Sequence, residues 1–188
     1  MTIQVHEKLD AKGLACPMPI VKTKKAIGTM EPGQVIEIQA TDEGSLADLK
    51  AWAKKAGHQY IGTNREDGVL VHYVRKSSGE EEQDTSFERT VSNEELKQKL
   101  SEDVQVVDVR EPAEYAFAHI PGAVSIPLGE LESRLSELDQ AKETYVVCRT
   151  GSRSDLASHQ LTDNGFTNVT NVIPGMSEWD GETKNNNE

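Results

Sequence analysis

Residues 35–40, Val-Ile-Glu-Ile-Gln-Ala, alternate with a two-residue period, which predicts a strand. Residues 3–9 alternate more weakly and predict a short strand before it. Between them the rhythm turns helical. Over residues 17–29, Ile20, Val21, Lys24, Ala26 and Ile27 set largely apolar groups along one side. Pro32-Gly33 is a turn signal. Residues 45–56 predict a second helix, with Ser45 as its cap, Asp48 at the capping-box position and Gly57 as its stop. Residues 58–63 and 69–74 read as strands around Glu66-Asp67-Gly68, and an Asp-Gly pair in that setting predicts a hairpin. The order βαβαββ gives a small α+β two-layer sandwich with its helices on one face of a sheet.

The second half has a different pattern. Residues 104–109 form a nearly continuous apolar run, as expected of a strand buried on both faces. Residues 112–117 predict a short helix opened by Pro112, and residues 123–126 a second strand. Leu128, Leu131, Leu135 and Leu138 fall at helical spacing and predict a helix over 128–138. Residues 144–147 predict a strand ending at Cys148. Residues 152–164 predict a helix closed by Gly165, and residues 168–172 a last strand. Such alternation implies an α/β domain with a parallel sheet covered by helices on both sides.

Charge places the boundary between the halves. Residues 1–78 carry 11 Lys and Arg against 9 Asp and Glu, whereas residues 91–188 carry 8 against 18. The stretch between, Gly-Glu-Glu-Glu-Gln-Asp-Thr-Ser-Phe-Glu-Arg-Thr, has no aliphatic residue with which to offset its ordering entropy. The predicted organisation is therefore a first domain over 1–76, an acidic linker over 77–90, a second domain over 91–184 and a frayed tail over 185–188. A formal net charge of -12 argues against direct nucleic-acid binding, which needs a basic footprint. No apolar run reaches the roughly 20 residues of a membrane helix, and the polar N-terminus lacks the apolar core of a secretory signal. The expected location is the cytoplasm, with no membrane partner. Two cysteines are too few to staple such a chain or to build an all-cysteine zinc site, so each needs its own explanation.

Cys148 is delivered by a predicted strand to its carboxyl end, where open α/β sheets place ligands. Next come the loop Cys148-Arg149-Thr150-Gly151-Ser152-Arg153 and a helix. A loop curled around the sulfur points backbone N–H groups inward, and the helix N-terminus adds a favourable dipole. With Arg149 and Arg153 supplying positive charge, these features favour thiolate over thiol and would equally hold a persulfide anion. Gly151 permits the tight path. An inert buried cysteine is the alternative, but an apolar core would not accept the flanking arginines unpaired.

Residues 91–182 resemble a single rhodanese domain. The resemblance rests on Asp108-Val109-Arg110-Glu111-Pro112-Ala113-Glu114-Tyr115 followed by His119-Ile120-Pro121-Gly122-Ala123, on the loop from Cys148 to Arg153, and on Gly165-Phe166, Asn168-Val169 and Gly175-Met176 with Trp179. Pro174 departs from the Gly often found there and implies a local loop variant. The resemblance implies that Cys148 is the catalytic cysteine and that Arg149, Thr150, Gly151, Ser152 and Arg153 bind substrate. It also implies that Asp108, Arg110, Glu114 and His119 are structural parts of the entry motif. Four residues separate Cys148 from Arg153, as in sulfurtransferase members; related phosphatases and arsenate reductases have one more.

Cys16 stands in Gly13-Leu14-Ala15-Cys16-Pro17-Met18-Pro19. Pro17 keeps Cys16 out of helical geometry, so a helix should begin just after it and its N–H groups should favour thiolate there. The Cys-Pro-x-Pro motif, with Asp10, Gly13, Leu14, Lys24, Lys25, Asp48 and residues 51–58, makes residues 4–76 resemble a TusA/SirA-type sulfur-carrier domain. That family's cysteine carries a persulfide and passes it on, which implies the same for Cys16. Asp42-Glu43-Gly44 stands where family members commonly have Asp-Pro.

The joint expectation is a rhodanese-type sulfurtransferase. A sulfane-sulfur donor (thiosulfate, a persulfide or a polysulfide) loads Cys148, and sulfur passes to or from Cys16 by thiol–persulfide exchange without a metal or organic cofactor. A cysteine desulfurase or another sulfur-relay protein is a possible partner. The alternative is a non-catalytic carrier or adaptor that docks a desulfurase or an acceptor enzyme.

Overall fold

The computed structural model describes residues 2–77 and 85–186. The chain divides into two compact units, with the break after residue 80.

The first unit contains β1 (Glu7–Ala11), α1 (Met18–Gly28), β2 (Val35–Ala40), α2 (Ser45–Ala56), β3 (Gln59–Glu66) and β4 (Val69–Arg75). The sheet order is β1-β2-β4-β3, with β1 parallel to β2 and the other pairs antiparallel. Ile36, Ile38 and Val74 from the sheet meet Ile27, Leu49 and Ala53 from the helices in one core. The first strand runs later than residues 3–9. Its partner β2 starts at Val35, to whose carbonyl the His6 N–H donates at 3.0 Å, and the register sets Glu7 opposite Ile36, so residues before His6 have no ladder to join. The hairpin forms as predicted: Glu66 pairs with Val69, and Asp67 and Gly68 take positive φ of 49° and 80°. Ser45 is not the cap of α2. Gly44 is, without a side-chain bond, and the Ser45 hydroxyl instead meets His72 Nε2 at 3.0 Å beneath the helix. Asp48 accordingly makes no capping box.

The second unit contains β5 (Thr90–Ser92), α3 (Asn93–Lys99), β6 (Gln105–Asp108), α4 (Pro112–Phe117), β7 (Val124–Ser125), β8 (Thr144–Val147), α5 (Ser152–Asp163) and β9 (Val169–Ile173). Its parallel sheet has the order β5-β9-β8-β6-β7. One face packs Val107, Val146 and Val169 against Ala157 and Leu161 of α5. The other packs Val106, Tyr145 and Val172 with Leu96 of α3. Both faces are covered, as the unbroken apolar runs require.

Three features of this unit depart from the expectations set by the sequence. Residues 128–138 form two 3₁₀ turns, Leu128–Glu130 and Glu132–Glu137, with Arg134 outside helical geometry at φ -120°. Leu128/Leu131 and Leu135/Leu138 are spaced by three, and a 3₁₀ turn eclipses such pairs, so these turns bury a leucine row as well as one helix would. In the acidic stretch expected to be a linker, residues 78–84 lie outside the described residues. Ser86 and Phe87, at its far end, are bound to the second unit: Asp155 Oδ1 accepts from their N–H groups at 2.9 and 2.8 Å. Of the tail, Asn186 is held, its N–H donating to Ala116 O at 3.0 Å just after Lys184 pairs with His119, and residues 187–188 lie outside the described residues.

Candidate active site

From β6 the chain passes outward to β7, then crosses back over β6 to β8, so β6 and β8 flank the point where the winding reverses. Cys148 comes directly after β8 there and is fully buried. Gly151, at φ 100°, turns the loop back so that its N–H donates to Cys148 Sγ at 3.1 Å. Ser154 Oγ lies 3.3 Å from the same sulfur. The sulfur is thus met by a backbone donor and a hydroxyl.

Glycine holds the loop from its other side. A Cβ on Gly175 would lie 2.4 Å from the carbonyl oxygen of Cys148, so no larger residue fits. The next N–H groups grip the loop: Met176 N donates to Cys148 O at 2.8 Å and Ser177 N to Arg149 O at 2.9 Å. Asn93 fixes Gly175 in turn, donating to its carbonyl at 2.9 Å and accepting from its N–H at 3.1 Å. The closing Gly-Met segment is therefore the brace of the cysteine loop.

Arg153 does not stand as an isolated cation beside the sulfur. Its guanidinium donates twice to Glu114, at 2.7 and 2.9 Å, and Glu114 is buried. Burial opposes the charge on Arg153, but Glu114 outweighs it and holds the guanidinium above its ordinary range. Glu114 also accepts from the Glu111 N–H at 2.9 Å, closing the first turn of α4. Asp108 and Arg110 form a second buried pair at 2.7 Å, and Arg110 Nη2 donates onward to Ala118 O. His119 stacks on Tyr115 with centroids 3.8 Å apart, and its Nδ1 meets Tyr115 O at 2.8 Å. The entry-motif residues are thus in framework contacts. Arg149, Thr150 and Ser152 are half-buried on the loop and the first turn of α5.

Cys16 is exposed and precedes α1, which starts at Met18 as Pro17 predicts. Thr41 Oγ1 accepts from the Gly13 N–H at 2.9 Å and ties down the loop that carries it. The expectation of a favoured thiolate fails here. A hydrogen bond to the Asp48 carboxylate, with smaller contributions from desolvation and from the charges of Asp48 and Asp42, raises the Cys16 thiol above its ordinary value. Asp48 and Asp42 are the charges that oppose the thiolate there.

Ser154, Asn93 and the Glu114–Arg153 pairing lie outside what the motifs indicate. Ser92-x-x-Glu95 is a legible capping box for α3, the helix that carries Asn93; the structure forms it, with Ser92 Oγ accepting from Glu95 N at 3.2 Å and Glu95 Oε2 from Ser92 N at 2.7 Å. Among the described residues no cluster of three His, Cys, Asp or Glu could hold a metal, and no helix is long and apolar enough to cross a membrane.

Comparison with known proteins bears on both units. The family model described as sulfurtransferase TusA matches residues 7–76, and that described as rhodanese-like domain matches residues 92–182. The chain is 50% identical over 178 residues to "Putative sulfur carrier protein YrkF" of Bacillus subtilis, covering 94% of this chain and 96% of that one. The chain is also similar to "Putative sulfurtransferase YtwF" of the same organism, at 40% identity over 101 residues, 53% of this chain and 97% of that one. Its first unit is similar to "Sulfur carrier protein TusA" of Allochromatium vinosum, at 41% identity over 71 residues, 38% of this chain and 93% of that one.

Proposed function

We propose, for a chain that belongs to the family of sulfur carrier proteins joining a TusA domain to a rhodanese-like domain, that Cys148 accepts sulfane sulfur as a persulfide and exchanges it with Cys16. The observation that carries this reading is the Gly151 N–H aimed at Cys148 Sγ inside a six-residue loop. With thiosulfate as donor, the Cys148 thiolate attacks the outer sulfur. The thiosulfate S–S bond breaks, and sulfite leaves with its electron pair. Cys16 then gives up its proton and attacks the terminal sulfur of the Cys148 persulfide. The S–S bond at Cys148 breaks, its electron pair stays on Cys148, and Cys16 carries the persulfide. The reverse flow uses the same bonds. No external oxidant or reductant enters, because sulfur moves at the sulfane level throughout.

In this scheme Asp48 receives the Cys16 proton, because its carboxylate is the largest influence that raises that thiol. A resting thiol is less prone to adventitious oxidation than a thiolate, which suits a carrier that waits for its donor. Two cysteines outside any disulfide fit a reducing, cytoplasmic setting. The partners are a sulfane-sulfur donor and a downstream acceptor, with a cysteine desulfurase as one candidate donor.

The test is mass spectrometry after exposure to labelled thiosulfate, persulfide or polysulfide, comparing the parent chain with Cys16→Ala and Cys148→Ala. The parent should gain one sulfur at each cysteine, Cys16→Ala should keep the load on Cys148, and Cys148→Ala should load neither site from thiosulfate. Loading of Cys148 that never reaches Cys16 would end the relay. Failure to release thiocyanate from thiosulfate and cyanide would leave the adaptor reading in its place.

A further inference from the structure

Asn171 lies on β9, opposite Val146 of β8 and Thr90 of β5, and is fully buried. Its Nδ2 donates to the carbonyl oxygen of Gly151 at 3.3 Å. That orientation of the amide is dictated by chemistry, because a carbonyl can only accept. Its Oδ1 is buried without a hydrogen-bond partner among the described residues. An orphaned buried oxygen opposes folding, and valine would fill a central strand position without that penalty. Packing alone does not account for an asparagine here.

The Gly151 carbonyl is crowded. It is approached by the Asp155 N–H at 3.0 Å, by Ser154 Oγ at 3.1 Å and by Asn171 Nδ2 at 3.3 Å. A carbonyl oxygen offers two lone pairs. When the helix N–H and the Asn171 amide take them, the Ser154 proton is surplus at that oxygen. The same hydroxyl stands 3.3 Å from Cys148 Sγ and has a single proton to donate. Ser154 thus has two acceptors for one proton, and the occupancy of the Gly151 carbonyl decides between them.

We propose that Asn171 is a positioning residue for the chemistry of Cys148: by occupying the Gly151 carbonyl it turns the Ser154 proton onto the sulfur, where it supports the anion. The biological meaning of this device rests on the sulfur-transfer reading above, but the device itself is testable without sulfur transfer. Proton balance is simple. Ser154 keeps its proton throughout and only changes acceptor, while the proton lost from Cys148 goes to solvent.

The experiment is an ultraviolet thiolate titration of the full chain carrying Cys16→Ala, so that Cys148 is the thiol observed. It compares that parent with Asn171→Val, Ser154→Ala and the double variant. Either single change should move the pH profile toward higher pH by about one unit, the scale of one hydrogen bond to a charged group. The double variant should move no further than Ser154→Ala alone, because both act through one proton. A purely structural role for Asn171 would lower the melting temperature and leave the profile where it was. A profile unmoved by Asn171→Val, or single shifts that add in the double variant, would overturn the proposal. A measurement on the parent needs no folded variant: the side-chain amide resonances of Asn171 should titrate together with Cys148, and flat resonances would equally overturn it. Loss of thiocyanate formation in the parent would remove the proposed function and leave this titration to decide the role of Asn171.

Discussion

Glu114→Gln would leave the Arg153 guanidinium beside a neutral amide with only one oxygen to accept, in a site where Glu114 is 3% exposed. Breaking one side of a buried ion pair costs about 3 kcal/mol. The expected result is a lower urea midpoint for the second unit, together with a misplaced cysteine loop. Asp48 makes the opposite kind of prediction. Its carboxylate raises the exposed Cys16 thiol above its ordinary value, so Asp48→Asn should move the pH profile of Cys16 alkylation to lower pH and speed alkylation at neutral pH. Rates measured in a Cys148→Ala chain would check this, and a profile unmoved by the substitution would refute it. Neither contact is legible in the sequence. The Cys-Pro-x-Pro spacing locates the thiol and the helix start, but Asp48 lies 32 positions away, where its neighbours suggest only a capping box.

Elements carry their own predictions. Ser45, Tyr60 and Thr63 surround the buried His72, whose Nδ1 meets Tyr60 Oη at 2.7 Å and Thr63 Oγ1 at 2.9 Å, joining α2, β3 and β4. Burial, with a smaller contribution from Arg65, lowers His72 from 6.5 to about 4. The folded unit therefore binds fewer protons than the unfolded chain between those values. His72 contributes its full stability above about pH 6.5 and loses it as pH falls toward about 4, a change on the order of 2–3 kcal/mol. Urea midpoints of the first unit at pH 7 and pH 4.5 should differ less in His72→Gln than in the parent. In the second unit, Ser92→Ala removes half of the capping box that starts α3 and should cost about 1 kcal/mol by urea unfolding. The strands are largely legible in the sequence, because residues buried on both faces leave unbroken apolar runs. The 128–138 segment is not, because leucines three and four apart fit an α-helix and paired 3₁₀ turns alike.

At the scale of the molecule, each unit encloses its own core, with Ile36, Ile38 and Leu49 in one and Val107, Val146 and Leu161 in the other. Cleavage within residues 78–84 should therefore leave two folded fragments with little change in either melting transition. It should not leave the proposed relay unchanged. In an intact chain the tether sets the effective concentration of one thiol near the other, so transfer between Cys148 and Cys16 should be independent of protein concentration. After cleavage the transfer rate should rise in proportion to fragment concentration. Stopped reactions at several dilutions would separate the two cases, and identical kinetics before and after cleavage would count against internal exchange. The charge contrast between the halves, 11 basic to 9 acidic residues against 8 to 18, makes the fragment reaction sensitive to salt.

The sequence by itself determined the two-part organisation, the α+β and parallel α/β classes, and the positions of both cysteines at the ends of their elements. These come from periodicity, composition and motifs confined to a few neighbouring residues. Tertiary structure alone decided what each sulfur meets: Asp48 at Cys16, Gly151 and Ser154 at Cys148, and Glu114 on the Arg153 guanidinium that sequence alone would leave as a free charge beside the sulfur. Ionisation depends on groups within a few ångströms in space, and a chain brings distant positions that close only by folding.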